Sequence, residues 1–248
     1  ISSLYKTGEE HNIALVANDT KTLFEELIIK LSEKYGKQVV ILIDEYDSPI
    51  TQPLEKSNFD KAEENRDILK TFYGALKPLD KYIRFIFITG ITKFTKVSIF
   101  SELNHLTDLT LHKKYTTLLG YTETELVEYF SEGISLLASE NGLTIEDCLA
   151  KIKDWYNGFS WDGVNFVYNP FSFMQVVSSS QFSNYWFQSG TPGFLIGMMK
   201  DAEAYNLTNI CAGESIYDNH DFRKLSYVTI LLQAGYLTIK HKDEDGML

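Results

Sequence analysis

Cysteine is nearly missing. Cys148 and Cys211 are the only two in 248 residues, which excludes a disulfide framework and any cysteine-based zinc spacing. Both read as reduced thiols in a core. Basic charge is short as well: 23 Lys and Arg stand against 34 Asp and Glu, a net charge of −11. A protein that grips a phosphate backbone usually carries the opposite excess, so general nucleic-acid binding is disfavoured. No apolar run reaches the roughly 18 residues that a membrane-spanning helix needs, and no signal-peptide pattern opens the residues given. Five histidines are scattered without a helical pair at metal-ligand spacing, and none is assigned to a metal. Repeats and low-complexity tracts are absent too. What is present is core material: 44% hydrophobic and 14% aromatic residues, too much for a disordered chain and enough for one large domain or two small ones. Ile rather than Met at position 1 predicts a chain cut from a longer protein. Reduced cysteines suit the cytoplasm, and the same composition is compatible with secretion as an effector.

The first half alternates helix and strand. Asp19 or Thr20 caps a helix whose Leu23, Phe24, Leu27, Ile28 and Leu31 share one face, and Gly36 stops it. The run Val39 to Ile43 is apolar without alternation, which predicts a strand buried on both faces, as in a parallel sheet. A second amphipathic helix carries Ile68, Leu69, Phe72, Tyr73 and Leu76, closed by Pro78. Phe85 to Ile88 is a second buried strand, completing a βαβ unit. The second half is helical. Tyr121, Thr122, Glu125 and Leu126 combine a capping box with a hydrophobic staple. Thr144 opens a helix with Ile145, Cys148, Leu149, Ile152, Trp155 and Tyr156 inward and Gly158 as its stop. Asn169-Pro170 and Thr191-Pro192 mark two more helix starts. A last helix runs from Asp221 to near Gly235, followed by a strand, Tyr236 to Lys240. Asp245-Gly246 is a hairpin turn signal whose partner strand is expected beyond residue 248. The boundary between the α/β part, 1–115, and the helical part, 116–248, is expected near residue 115.

The first strand ends in acids: "QVVILIDEYDSPI" places Asp44, Glu45 and Asp47 directly after Ile43. Ligands of open α/β sheets bind beyond the carboxyl ends of parallel strands. An apolar run closed by Asp-Glu is the Walker B pattern of ATPases. There an aspartate orders Mg²⁺, which prefers oxygen ligands and keeps several waters, and the following glutamate, facing the other way, polarises the attacking water. The competing reading is a strand end whose acids cap the next turn. Asp47 is expected to shape the turn before Pro49. The second strand ends "FITGITKF", where Thr89, Thr92 and Lys93 either sense a phosphate or form a polar turn from Gly90.

Six ordered blocks carry a resemblance: "VVILIDEYDSPI", "FIFITGITKFTKVSIFSELNHLTDLTL", "LGYTETELVEYF", "WYNGFSW…VYNPFSFM", "YWFQSGTPGFLI" and "LLQAGYLTIK". Together they make the chain, from about Leu23 to Lys240, similar to the bacterial AAA-ATPase-like family of signal-transducing P-loop ATPases, many of which carry a PD-(D/E)XK-type nuclease domain downstream. The resemblance implies a partial P-loop NTPase parallel sheet followed by a helical lid and a winged-helix-like segment, with Mg²⁺ and ATP as ligands. By motif position it makes Asp44 the Mg²⁺ aspartate, Glu45 the catalytic glutamate, and Thr89 and Lys93 sensor-strand contacts to the nucleotide.

One part of the family pattern is missing. A phosphate-cradling loop reads G-x-x-x-x-G-K-[ST], and the only Gly-Lys pair here, Gly36-Lys37, is followed by Gln38 with no glycine five residues earlier. The loop would fall before residue 1. Two functions follow. In one, the chain is the Walker B half of an ATPase that switches an attached effector or protein partner. In the other, it is a degenerate ATPase-like fold that serves as a protein-interaction module. Trp155, Tyr156, Phe159 and Trp161 fit a helical core better than a base-stacking surface. Asp108 and His112 have no nucleophile beside them, and no D…E-x-K constellation supports a nuclease within these residues. Asp243, Glu244 and Asp245 at the expected wing tip, with Arg223 and Lys224 the only bases on the preceding helix, favour protein contact over DNA.

Overall fold

A computed structural model describes residues 1–54, 58–91, 99–100, 103, 106–187, 210–213 and 227–242. It divides into two compact units, one of Ile1–Thr107 with Tyr217–Gln233 and one of Asp108–Ile216 with Ala234–Leu248. The described elements are α1 (Ser2–Glu10), α2 (Thr20–Tyr35), β1 (Val39–Ile43), α3 (Ser48–Leu54), α4 (Phe59–Tyr73), a 3₁₀ helix (Gly74–Tyr82), β2 (Ile83–Ile88), α5 (Glu123–Tyr129), α6 (Ser131–Glu140), α7 (Ile145–Tyr156), α8 (Pro170–Ser179), a short 3₁₀ turn (Tyr185–Phe187) and α9 (Tyr227–Gln233). No helix among the described residues is long and apolar enough to cross a membrane.

In the first unit the ends of α2 follow from its sequence. Asp19 Oδ1 accepts the Thr22 N–H at 2.9 Å, and Gly36 takes the left-handed conformation, φ 61°, that closes a helix at no Cβ cost. β1 and β2 pair in parallel, with Val40 opposite Phe85, Leu42 opposite Phe87 and Ile43 opposite Ile88. The mixed α/β character is therefore as expected, and the crossover contains α3, α4 and the 3₁₀ helix. The helix expected to run to Pro78 ends instead at Tyr73, and residues 74–82 tighten to 3₁₀. Proline at 78 cannot donate to residue 74, and its ring crowds that carbonyl. Leu76 and Leu79 remain buried all the same.

The sheet departs from expectation in one respect. Ile41 points into a core with Ile28, Ile50, Ala62, Tyr73 and Leu76, while Phe24 stacks on Phe72 at 4.5 Å. The opposite face is open: Val40 is 50% exposed, Leu42 71% and Phe85 53%. Side chains of a strand alternate between faces, so helices on one side cover only every second residue. The expected burial of both faces is not found.

A strap over α2 accounts for the chain between α1 and that helix. Glu26 Oε2 accepts the N–H groups of Val16 at 2.9 Å and Ala17 at 3.0 Å, and Lys30 Nζ lies 2.5 Å from Glu26 Oε1. The Lys30 hydrogen bond, helped by the Ala17 amide, holds the Glu26 carboxyl down at about 2 against an ordinary 4.5. A depressed carboxyl stabilises the fold above its unfolded value, and that stability is lost as pH falls toward the folded one. Urea unfolding is expected to weaken between about pH 4.5 and 2, and Glu26→Gln is expected to flatten that acid limb. An unchanged acid limb in the variant would refute the assignment.

The second unit is built on caps that its sequence announces. Thr122 and Glu125 form the complete capping box of α5. Thr144 Oγ1 accepts the Asp147 N–H at 3.1 Å at the start of α7. Asn169 Oδ1 accepts the Ser172 N–H at 2.9 Å, with Pro170 at the first position of α8. Leu126, Ile134, Leu137, Cys148, Ile152, Tyr156, Phe173 and Val176 form its core. Tyr156 stacks on Phe182 and Tyr185, and Trp155 meets Phe182 edge-on, so this pair is core as expected. Ile145, expected inward, is 47% exposed: as the first helical residue it precedes the packed turn.

Among the described residues the expected strand Tyr236–Lys240 pairs with no other strand, its expected partner lying beyond residue 248. Its Ile239 N–H reaches Ser160 O at 3.3 Å, and Thr238 Oγ1 donates to the same carbonyl at 3.1 Å while accepting the Ser160 N–H at 2.7 Å. A Cβ on Gly163 would come within 3.0 Å of the His241 backbone, so the turn after Ser160 and the run 238–241 lie close together. The helix before it is described from Tyr227 and buries Thr229, Ile230, Leu231 and Leu232. The helix start at Asp221, the bases Arg223 and Lys224, the Thr191-Pro192 start, and the acids Asp243, Glu244 and Asp245 with the Asp245-Gly246 turn lie outside the described residues.

Candidate functional site

The two parallel strands end side by side, and their ladder continues past both ends. Thr89 N–H donates to Ile43 O at 2.8 Å, and Tyr46 N–H donates to Thr89 O at 3.0 Å. This extension brings together residues 45 apart in sequence: Thr89 Oγ1 donates a hydrogen bond to Asp44 Oδ1. The same oxygen accepts the Glu45 N–H at 3.0 Å. Asp44 and Glu45 are both exposed, so their carboxylates face solvent beyond the strand end.

Glu45 has φ 51°, in the left-handed region that a residue with a Cβ enters at a cost of about 1–2 kcal/mol. The turn that imposes it is firmly tied. Ser48 N–H donates to Glu45 O at 3.0 Å, and the N–H groups of Ile50 and Thr51 donate to Asp47 O at 2.9 and 3.0 Å. The Asp47 carbonyl thus opens α3 beside Pro49, a role of its backbone rather than of its carboxylate. Strained backbone of this kind concentrates at functional sites.

Both acids line an open cleft of about 650 Å³ whose other walls come from α3 and the start of α4. Gln52 Nε2 donates to Ser48 Oγ at 3.0 Å, and Asn65 Nδ2 donates to Pro49 O at 2.7 Å, holding α4 to the turn. Lys61 brings a positive charge to the same cleft, paired with Glu64 at 2.8 Å. Neither Asn58 nor Lys61 stands out in the sequence as a site residue. The spatial fold of α3 onto α4 is what places them opposite Asp44. A second hollow, about 520 Å³, lies on α7 between Ile145, Leu149 and the exposed Lys153–Glu123 pair. Glu146 and Ala150 complete its lining, and its charged pair is already satisfied internally at 2.8 Å.

Among the described residues no three His, Cys, Asp or Glu side chains gather to hold a metal directly. The donor set fits a hydrated Mg²⁺ better than a cage, because Mg²⁺ keeps several waters and takes one or two carboxylates. Thr89 Oγ1 and the Glu45 N–H both bond Asp44 Oδ1, so Oδ2 is the oxygen that could meet such an ion. Of the residues expected from sequence, Asp44, Glu45 and Thr89 are brought to one place. Thr92 and Lys93 lie outside the described residues.

Residues 1–100 match the model of the AAA-ATPase-like family, described as "Predicted AAA-ATPase". An "Uncharacterized protein in vnfD 5'region" of Azotobacter chroococcum mcd 1 is 35% identical over 229 residues, covering 92% of this chain and 42% of its own length. The chain therefore spans less than half of that relative. No solved structure matches the chain. The matched stretch, residues 1–100, holds both strands, the acids after β1 and Thr89, and it is this stretch that is similar to the AAA-ATPase-like family.

Proposed function

We propose that this chain is the Walker B portion of a P-loop ATPase-like regulatory protein. The observation that carries the reading is the Thr89 hydroxyl seated on the Asp44 carboxylate at the adjoining carboxyl ends of two parallel strands, with Glu45 next to it on a left-handed backbone in the same cleft. Asp44 would hold hydrated Mg²⁺, Glu45 would accept the proton of the attacking water, and Thr89 and Lys93 would contact the nucleotide. Bound Mg²⁺ supplies neutralisation of the phosphate charge. Thr89 restrains Asp44, and the tie of Tyr46 to Thr89 keeps the Glu45 turn from relaxing. The phosphate-cradling loop that such chemistry needs is not among the 248 residues and has to come from elsewhere in the gene product. In this reading the helices of the second unit serve as a lid, and Tyr227 to Lys240 begins a winged-helix-like segment. The protein works in the cytoplasm on an attached effector or a protein partner rather than on DNA.

A second reading, a degenerate ATPase-like fold used as an interaction module, draws on the open apolar face of Val40, Leu42 and Phe85. Phosphate release with Mg-ATP separates the two. The chain alone is expected to stay at background, and the gene product that carries it to turn over, with loss in Asp44→Asn. A gene product that binds no nucleotide and releases no phosphate supports the interaction module. Turnover by the chain alone that disappears in Glu45→Gln would show that no separate phosphate loop is required.

A further inference from the structure

Asp47 is only 1% exposed, and a carboxylate is costly to bury without hydrogen-bond partners. Its backbone carbonyl serves the start of α3, but its side chain does something else. Oδ1 accepts the Ile91 N–H at 3.2 Å, 44 residues away, in the loop that follows β2. Between Thr89 and Ile91 sits Gly90, where a Cβ would fall 2.5 Å from the Tyr46 ring and 2.7 Å from Asp47 Oδ1. Tyr46 cannot swing away freely, because its buried ring packs on Phe100 at 4.9 Å. The turn after β1 and the loop after β2 are therefore in direct contact from Tyr46 to Ile91. Tyr73 forms part of the surroundings: burial, with the Asp47 charge adding to it, pushes its phenol up to about 12.

We infer that Asp47 is a positioning residue: by accepting the Ile91 N–H it locks the loop after β2 onto the turn after β1 and so keeps Thr89 on Asp44. Three hydrogen bonds act in series here, Thr89 N–H to Ile43 O, Tyr46 N–H to Thr89 O and Ile91 N–H to Asp47 Oδ1. Asp47 supplies the outermost, and it is the only one of the three made by a side chain. A side chain at that end can be removed without touching the ladder itself. The catalytic consequence rests on the ATPase reading above, whereas the lock does not.

Amide hydrogen exchange on the chain, read residue by residue, tests the lock. The wild-type Ile91 amide is expected to be protected. Asp47→Ala is expected to speed exchange at Tyr46, Thr89 and Ile91 roughly tenfold or more, the effect of losing one hydrogen bond to a charged acceptor, with amides of the second unit unchanged. Asp47→Asn keeps an oxygen acceptor and is expected to stay near wild type. An unprotected Ile91 amide in the wild-type chain, or equal acceleration in the Ala and Asn variants, overturns the inference. In the gene product, Asp47→Ala is expected to lower turnover but to add little in a Thr89→Ala background, because both act through one pair. Additive losses would overturn it as well. A gene product without any turnover defeats the ATPase reading alone, and exchange then decides the lock.

Discussion

Glu45→Gln in the gene product that carries this chain is expected to cut ATP turnover by about 10²–10⁴-fold, the usual effect of removing one proton acceptor, while nucleotide binding is retained. The amide is nearly the same size as the carboxylate and keeps an oxygen for hydrogen bonding, but it cannot take a proton from water. Glu45 is exposed and lines the cleft beside Asp44, so the substitution displaces no packed group. Its left-handed backbone supplies an internal control. Glycine enters that region without the Cβ penalty, so Glu45→Gly is expected to be stabilised by up to about 1 kcal/mol through relief of this strain, offset in part by the unfolded-state freedom of glycine, and to be as inactive as Glu45→Gln. A variant more stable than wild type and inactive separates chemistry from folding. Unchanged turnover in Glu45→Gln would remove Glu45 from the catalytic role.

The second large effect is on stability. Phe173→Ala is expected to destabilise the helical unit by about 3–5 kcal/mol, the range for a fully buried Phe cut back to Ala. Phe173 has no exposed surface. It meets Phe130 edge-on at 5.0 Å and Tyr121 at 5.9 Å, so its loss removes aromatic contacts as well as apolar burial. The space cannot easily close. α8 is pinned at its start by the Asn169 cap, and Asn169 N–H donates to Tyr156 O at 2.9 Å at the end of α7. Such a loss is a large share of the roughly 5–15 kcal/mol that holds a domain together. Urea unfolding followed by the near-ultraviolet signal of the aromatic cluster measures it. A loss below about 1 kcal/mol, the size of an ordinary surface change or less, would show that the site collapses and that Phe173 does not organise this core.

The sequence by itself determined the elements whose causes are local. A capping bond spans three residues, so Asp19, the Thr122–Glu125 box, Thr144 and Asn169-Pro170 marked helix starts that the fold retains. The apolar runs of β1 and β2 marked strands for the same reason, and the acids after Ile43 marked the candidate site. Tertiary structure decided what depends on distant partners. The apolar run at Val39 to Ile43 cannot show which of its faces a helix will cover, and one face stays open. Tyr236 to Lys240 has the composition of a strand, and among the described residues its bonds run to Ser160, some 78 positions away. The bond from Thr89 to Asp44, the left-handed Glu45, and the reach of Asp47 to Ile91 all arise where two strand ends some 45 residues apart meet. No window of neighbouring residues contains both sides of those contacts. They exist only once the parallel pairing sets the register, and that register is fixed by helices packed on one side of the sheet.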